Sequence, residues 1–214
     1  MIRKILHTIF TKFSSAGLGF LTIILISQIL GVEAKGEQAI MVYNINLLLM
    51  LFTLIGNSTL IYLTPRKDFS NLIIPSFLWI VITAILVSLF FPNICVLIAV
   101  LAAISEINQF LLLGKQKISQ ANILKLIYPL VSFSYILILW LFNRFTSVED
   151  FITAMLIAYI VSFFYGIFAL RDEYKNLKLI SKQELTSSFK TLFSLGVTKQ
   201  IGYIAQSMNY RLCF

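Results

Sequence analysis

A chain of 214 residues that is 59% hydrophobic and only 12% charged, with a mean hydropathy of +0.91, lies outside the range of soluble domains, where about 25% of residues are charged. Composition excludes a water-soluble domain, and nineteen Phe, nine Tyr and two Trp against nine Gly and four Pro also exclude disorder and fibrous repeats. Seventeen Lys and Arg outnumber nine Asp and Glu, but in so apolar a chain this excess is read as topology, not as nucleic-acid binding.

Runs long enough to cross a bilayer, about 20 residues each, are predicted at 13–30, 38–63, 72–91, 94–113, 121–142 and 151–170. The first follows a basic start, exceeds the apolar core of a signal peptide and precedes no small-x-small cleavage site, so it is retained. A polar turn carrying Gly31, Glu33, Lys35, Gly36 and Glu37 leads into the second run, which Thr64-Pro65-Arg66-Lys67-Asp68 stops. Pro92-Asn93 predicts a tight hairpin between the third and fourth runs, while Gly114-Lys115-Gln116-Lys117 and residues 143–150 separate the next two pairs. Residues 171–190 are the one shift in composition. They carry Arg171, Lys175, Lys178, Lys182 and Lys190 with Leu177, Leu179, Ile180, Leu185 and Phe189, a pattern that fits an amphipathic helix on the headgroups or a solvated linker. A seventh apolar stretch begins near Leu192 and reaches Phe214 without a polar flank, which predicts a truncated helix. The expected fold is all-α and integral to the membrane: a six-helix lobe over 1–170, a cytoplasmic basic linker over 171–190, and over 191–214 the start of a second lobe with an incomplete seventh transmembrane helix.

Counted by alternate loops, twelve Lys and Arg fall at the amino terminus, at 66–67, at 115–117 and in the linker, against only Lys35 and Arg144 on the opposite side. The positive-inside rule then places the amino terminus and the linker in the cytoplasm. Lys125, Lys199 and Arg211 remain, inside predicted spans. A charge at the centre of a span costs on the order of 2.5–3.5 kcal/mol, so such residues face protein or water. Glu106 lies about 12 Å from the boundary at Gly114 and Lys125 about 9 Å past Ser119, at 1.5 Å per residue, so a Glu106–Lys125 ion pair across the hairpin is one reading. The other has Lys125 snorkelling to the interface while Glu106 bonds Asn108 or Gln109.

Asn46, Thr53 and Asn57 return to one face of the second run and form a stripe that lines a hydrated cavity or bonds neighbouring helices. Ser15 and Gly19 make a small-x-x-x-small pair, read as a close helix contact, and Gln28 is the single amide in the first run. Lys199, Gln200, Gln206, Asn209, Tyr210 and Arg211 crowd the seventh stretch, which lipid alone cannot surround. Lys199 is near enough to the edge to snorkel, whereas Arg211 is deep in the bundle or at the opposite interface. His7 is the only histidine, so a multi-histidine metal site or a histidine-based triad is excluded, and Cys95 and Cys213 in apolar surroundings read as two buried thiols. Without a phosphate-binding loop, an H-E-x-x-H pair or a nucleophile elbow, the sequence points to a transporter rather than an enzyme, with no cofactor.

Ile29-Leu30-Gly31-Val32-Glu33-Ala34-Lys35-Gly36-Glu37-Gln38-Ala39 resembles the L-G-x-E-x-x-G-x-x-A turn after the first span of bacterial polysaccharide flippases. Leu195-Gly196, followed by Gln200 to Gln206 and then Asn209-Tyr210-Arg211-Leu212, resembles the L-G...N-Y-R-L signature that opens the second lobe of that family. With its basic start, tight third-to-fourth hairpin and long linker after the sixth span, the chain is similar to the amino-terminal half of Wzx-type O-antigen and capsule repeat-unit flippases of the multidrug/oligosaccharidyl-lipid/polysaccharide exporter superfamily. The resemblance implies two lobes around a central cavity in the bacterial inner membrane, and translocation of undecaprenyl-diphosphate-linked oligosaccharide by alternating access, serving lipopolysaccharide or capsule synthesis. Lys125, Lys199 and Arg211 are then the candidates for the diphosphate, with Gln206, Asn209, Asn57 and Gln28 as further cavity candidates. Membrane lipids, a polysaccharide polymerase and a chain-length regulator are the implied partners. The chain departs from relatives at several points: Gln28 stands where lipid II flippases carry arginines along the first span, and no acidic residue of the kind multidrug exporters have lies between Phe13 and Leu30. Cys213 also replaces the usual polar or acidic residue. A membrane polysaccharide polymerase or ligase and an inactive flippase fragment are the alternatives, although the outer loops are too short to hold a polymerase's catalytic groups.

Overall fold

The computed structural model of the chain describes residues 2–144 and 147–212, with side chains described over 5–144 and 147–202. Its regular elements are helices: α1 (Ile2–Ile29), α2 (Val32–Phe52), α3 (Thr59–Leu63), α4 (Phe69–Val87), α5 (Asn93–Gly114), α6 (Ile118–Leu141), α7 (Val148–Ala169), α8 (Arg171–Lys175) and α9 (Lys182–Leu212). Among the described residues α1, α4, α5, α6 and α7 are long and apolar enough to cross a membrane, which makes this an all-α, multi-pass membrane protein. Glu33, Lys35 and Glu37 lie inside α2 and keep it off that set, so the expected polar turn at 31–37 shrinks to the link between Ile29 and Val32.

Helix α5 is the hub. Ala99, Ala102 and Ala103 are essentially inaccessible, and these small side chains let α2, α3, α4, α6 and α7 pack against it. Its ends follow local chemistry. Pro92, just outside α5, supplies no N–H and a restricted φ, while past its end Gln116 adopts φ 58° and lets the Lys117 amide reach back to the Leu112 carbonyl at 2.9 Å. Asn143 ends α6 in the same way, with φ 53° and the Arg144 amide on the Leu139 carbonyl at 2.8 Å. Helix α1 packs mainly on α6 and presents Phe10, Phe13, Phe20 and Ile23 outward, as a lipid-facing helix does.

Two expectations are corrected. The second run is not one helix: it breaks over 53–58, where Gly56 has weak helix propensity and Thr53, Asn57 and Ser58 offer the backbone alternative partners. The linker at 171–190 is not one unit either. A short α8 and a non-helical stretch precede α9, which starts at Lys182 and runs unbroken into the seventh apolar stretch, so the boundary drawn at 190 falls inside a helix. Ser181 and Glu184 start that helix with a capping box: the Ser181 amide donates to Glu184 Oε2 at 2.8 Å and the Glu184 amide to Ser181 Oγ at 3.3 Å.

The basic loops gather at one end of the bundle. Asn122 at the start of α6 bonds Thr8 Oγ1 at 2.9 Å and meets His7 Nδ1 at 3.2 Å on α1. Lys115 pairs with Glu173, Lys117 Nζ donates to the Ala169 carbonyl at 3.5 Å, and the Lys178 amide donates to Ser70 Oγ at 3.0 Å. Burial pushes the Tyr174 hydroxyl up, so it stays protonated and donates to Asn108 Oδ1 at 2.7 Å.

Candidate functional site

A cavity of about 320 Å³ walled by both apolar and polar side chains opens between α1, α5, α6 and α7, about two to three turns in from the basic end. Each helix supplies residues at i, i+3 or i+4 spacing, so they point the same way. Ser15 and Gly19 come from α1, Glu106 and Gln109 from α5, Lys125, Tyr128 and Pro129 from α6, and Tyr159 and Ser162 from α7. No Cβ at Gly19 would touch anything within 4 Å. The expected close contact at Ser15-x-x-x-Gly19 is therefore replaced by open space, and the small residues make room for the cavity instead.

Lys125 is exposed where it lines the cavity, whereas Glu106 is half-buried. The two act on each other electrostatically, but the ion pairs among the described residues are Lys115–Glu173 and Arg171–Asp172, so no direct Glu106–Lys125 bridge forms. Across the cavity the rings of Tyr128 and Tyr159 stack with centroids 4.4 Å apart and 27° between planes. Pro129 has no N–H, so the Lys125 carbonyl lacks its helical donor beside the same cavity. Together these groups offer a carboxylate, an ammonium, an amide, hydroxyls and an aromatic platform at membrane depth.

The break in the second run is a separate, closed structure. Backbone freed from a helix inside a membrane must be satisfied by protein, and here Trp79 Nε1 donates to the Leu51 carbonyl at 2.9 Å while Gln200 Nε2 donates to the Met50 carbonyl at 3.2 Å. Asn57 Nδ2 donates to the carbonyls of Leu54 and Gly196, both at 3.3 Å, and its Oδ1 accepts the Thr59 amide at 3.0 Å. Gly196 is required there because a Cβ would land on the Leu54 carbonyl oxygen. Trp79 also meets Phe189 and Phe193 edge-on, which fastens α9 to α4.

Of the residues singled out in the sequence, the cavity brings together Ser15, Gly19, Glu106, Gln109 and Lys125. Asn57 is buried at the break, 4% accessible, as a structural clasp. Its supposed stripe partners separate from it: Asn46 is exposed, and Thr53 Oγ1 bonds its own helix at the Leu49 carbonyl, 2.8 Å away. Gln28 and Lys199 are exposed on α1 and α9, away from the cavity. Gln206, Asn209 and Arg211 lie beyond the described side chains, and Cys213 beyond the described residues; Cys95 is buried. Tyr128, Tyr159 and Ser162 went unnoticed in the sequence, although Tyr128 follows Lys125 by three positions, the spacing that puts two side chains on one helix face.

No family profile matches this chain, and no curated protein or solved structure matches it.

Proposed function

We propose that this chain forms the amino-terminal lobe of a transporter that moves undecaprenyl-diphosphate-linked oligosaccharide repeat units across the bacterial inner membrane by alternating access. The observation that carries the reading is the cavity. Four apolar helices hold a carboxylate, an ammonium, an amide and two tyrosines at membrane depth, an arrangement whose insertion cost is otherwise uncompensated. The clustering of basic loops at one end supports a cytoplasmic placement of that end and of the amino terminus. The Leu195-Gly196 resemblance gains a physical sense, since Gly196 is one of the contacts through which α9 joins the bundle, beside those of Phe189, Phe193 and Gln200.

In this reading Lys125 meets a phosphate beside the cavity, and Lys199, Gln206, Asn209 and Arg211 in the α9 sequence are the further candidates for the cargo. No bond of the cargo is made or broken. The lobes exchange inward- and outward-open states, each stabilised by differential contacts with the lipid-linked sugar. The test is restoration of surface polysaccharide by the complete encoding gene in a host lacking its own flippase. Arg211→Ala is expected to lose most surface polymer and Arg211→Lys to recover only part, because a forked guanidinium and a point charge bind phosphate differently. Lys125→Gln is expected to be milder, with partial rescue by Glu106→Gln. Normal polymer from well-expressed Arg211→Ala and Lys125→Ala proteins refutes the proposal.

A further inference from the structure

We propose that the cavity between α1, α5, α6 and α7 takes one sugar ring, neutral or amine-bearing, and that Glu106 excludes an acidic one. The inference rests on the transport reading only for the phosphate to which that sugar is linked; the case for the ring is made by the lining. A volume of about 320 Å³ is at the small end of the roughly 300–1,000 Å³ of ligand pockets, enough for a pyranose and far too little for a polyprenyl chain. Its lining brings Glu106 and Gln109 from α5 together with Tyr128 from α6 and Tyr159 from α7, while the Ser105 and Ser162 hydroxyls donate to the Leu101 and Ala158 carbonyls of their own helices, at 2.9 Å each. The carboxylate and amide suit the hydroxyls around a ring, and the Tyr128–Tyr159 stack offers an apolar surface for its C–H face.

Charge decides which sugar. Lys125 and Glu106 cancel formally, so the interior is not a site for a diphosphate, whose place is at the exposed Lys125 ammonium. Glu106, in the same lining and less accessible than Lys125, accepts hydrogen bonds from hydroxyls or an ammonium, whereas a uronic acid brings a second carboxyl beside it in a poorly solvated space.

The experiment places the full chain in lipid nanodiscs with Ser15→Cys as a reporter, whose alkylation rate at the cavity wall is read by peptide mass mapping. The probes are N-acetylglucosamine 1-phosphate, glucosamine 1-phosphate, glucuronic acid 1-phosphate and inorganic phosphate. Protection by the first two is expected at concentrations at least about tenfold below those needed for glucuronic acid 1-phosphate or phosphate, the effect of one like-charge contact. Glu106→Gln should bring glucuronic acid 1-phosphate to the level of the neutral sugar. Tyr128→Leu should weaken all sugar probes and Tyr128→Phe none; should Tyr128→Leu fail to fold, the Glu106→Gln exchange decides alone. Equal protection by all probes, protection by phosphate as strong as by sugar phosphates, or no protection by any sugar phosphate overturns the inference. A gene that restores surface polymer despite such a result leaves the transport reading standing, whereas sugar protection without restoration keeps the sugar site and removes the transport reading.

Discussion

Replacing Gly196 by alanine probes the contact on which the broken helix depends. The new methyl group would fall on the Leu54 carbonyl oxygen, which is backbone and cannot swing away, so α9 must move off the 53–58 segment. Overpacking of this kind costs about 1–3 kcal/mol. Moving α9 also lengthens the Asn57–Gly196 and Gln200–Met50 hydrogen bonds, each worth about 1 kcal/mol and more if a buried group is left unpaired. Alanine returns about 1 kcal/mol through helix propensity. The net loss is about 3 kcal/mol, or about 6–12 °C in melting temperature for a chain of this size. Trp79 lies against Phe189 and Phe193 and donates to Leu51, so in a Trp140→Phe background, which removes the other tryptophan, fluorescence during heating of the detergent-solubilised protein reports the contact directly. Gly202→Ala is the control, since a Cβ there meets nothing within 4 Å, and should melt at or slightly above the parent. A Gly196→Ala protein that melts within about 2 °C of the parent, or a Gly202→Ala protein that falls as far, refutes the clasp.

Two further outcomes are expected. Hydrogen bonds from the backbone and hydroxyl of Ser181 hold the Glu184 carboxyl below its usual range; because the folded value is the lower one, the cap is intact above the ordinary glutamate range and is lost as pH falls through the folded value. Amide exchange over 183–186 should therefore accelerate on acidification in the parent and be fast and nearly pH-independent, after correction for intrinsic exchange, in Glu184→Ala; a parent profile identical to the mutant's contradicts the cap. Cysteines placed at Lys178 and Asn143 should label from opposite faces of intact cells, with Asn143 reactive from outside, and reaction of Lys178→Cys with an impermeant reagent would reverse the proposed orientation.

The class of this protein was legible from its residues because the bilayer imposes a length and an apolarity that a sequence must carry openly. Five predicted spans reappear as helices, four of them within a few residues of their expected limits and the first extended toward the amino terminus, and the side on which basic residues gather follows from alternation along the chain. Glu106 and Lys125 were likewise findable, as charges in hydrocarbon with matched depths. What local pattern did not contain was which helices adjoin. Asn57 read as part of a polar stripe because periodicity assumes an unbroken helix; the break is sustained by distant segments, with Trp79 and Gln200 donating to the Leu51 and Met50 carbonyls and the Gly196 carbonyl accepting from Asn57. Ser15 and Gly19 read as a packing face because smallness alone does not distinguish a tight contact from a void; the neighbours that leave them facing open space come from α5, α6 and α7. Periodicity records how each helix is divided between apolar and polar faces. Which polar faces meet, and whether they close on backbone or on a cavity, is set by tertiary packing through contacts that have no local period.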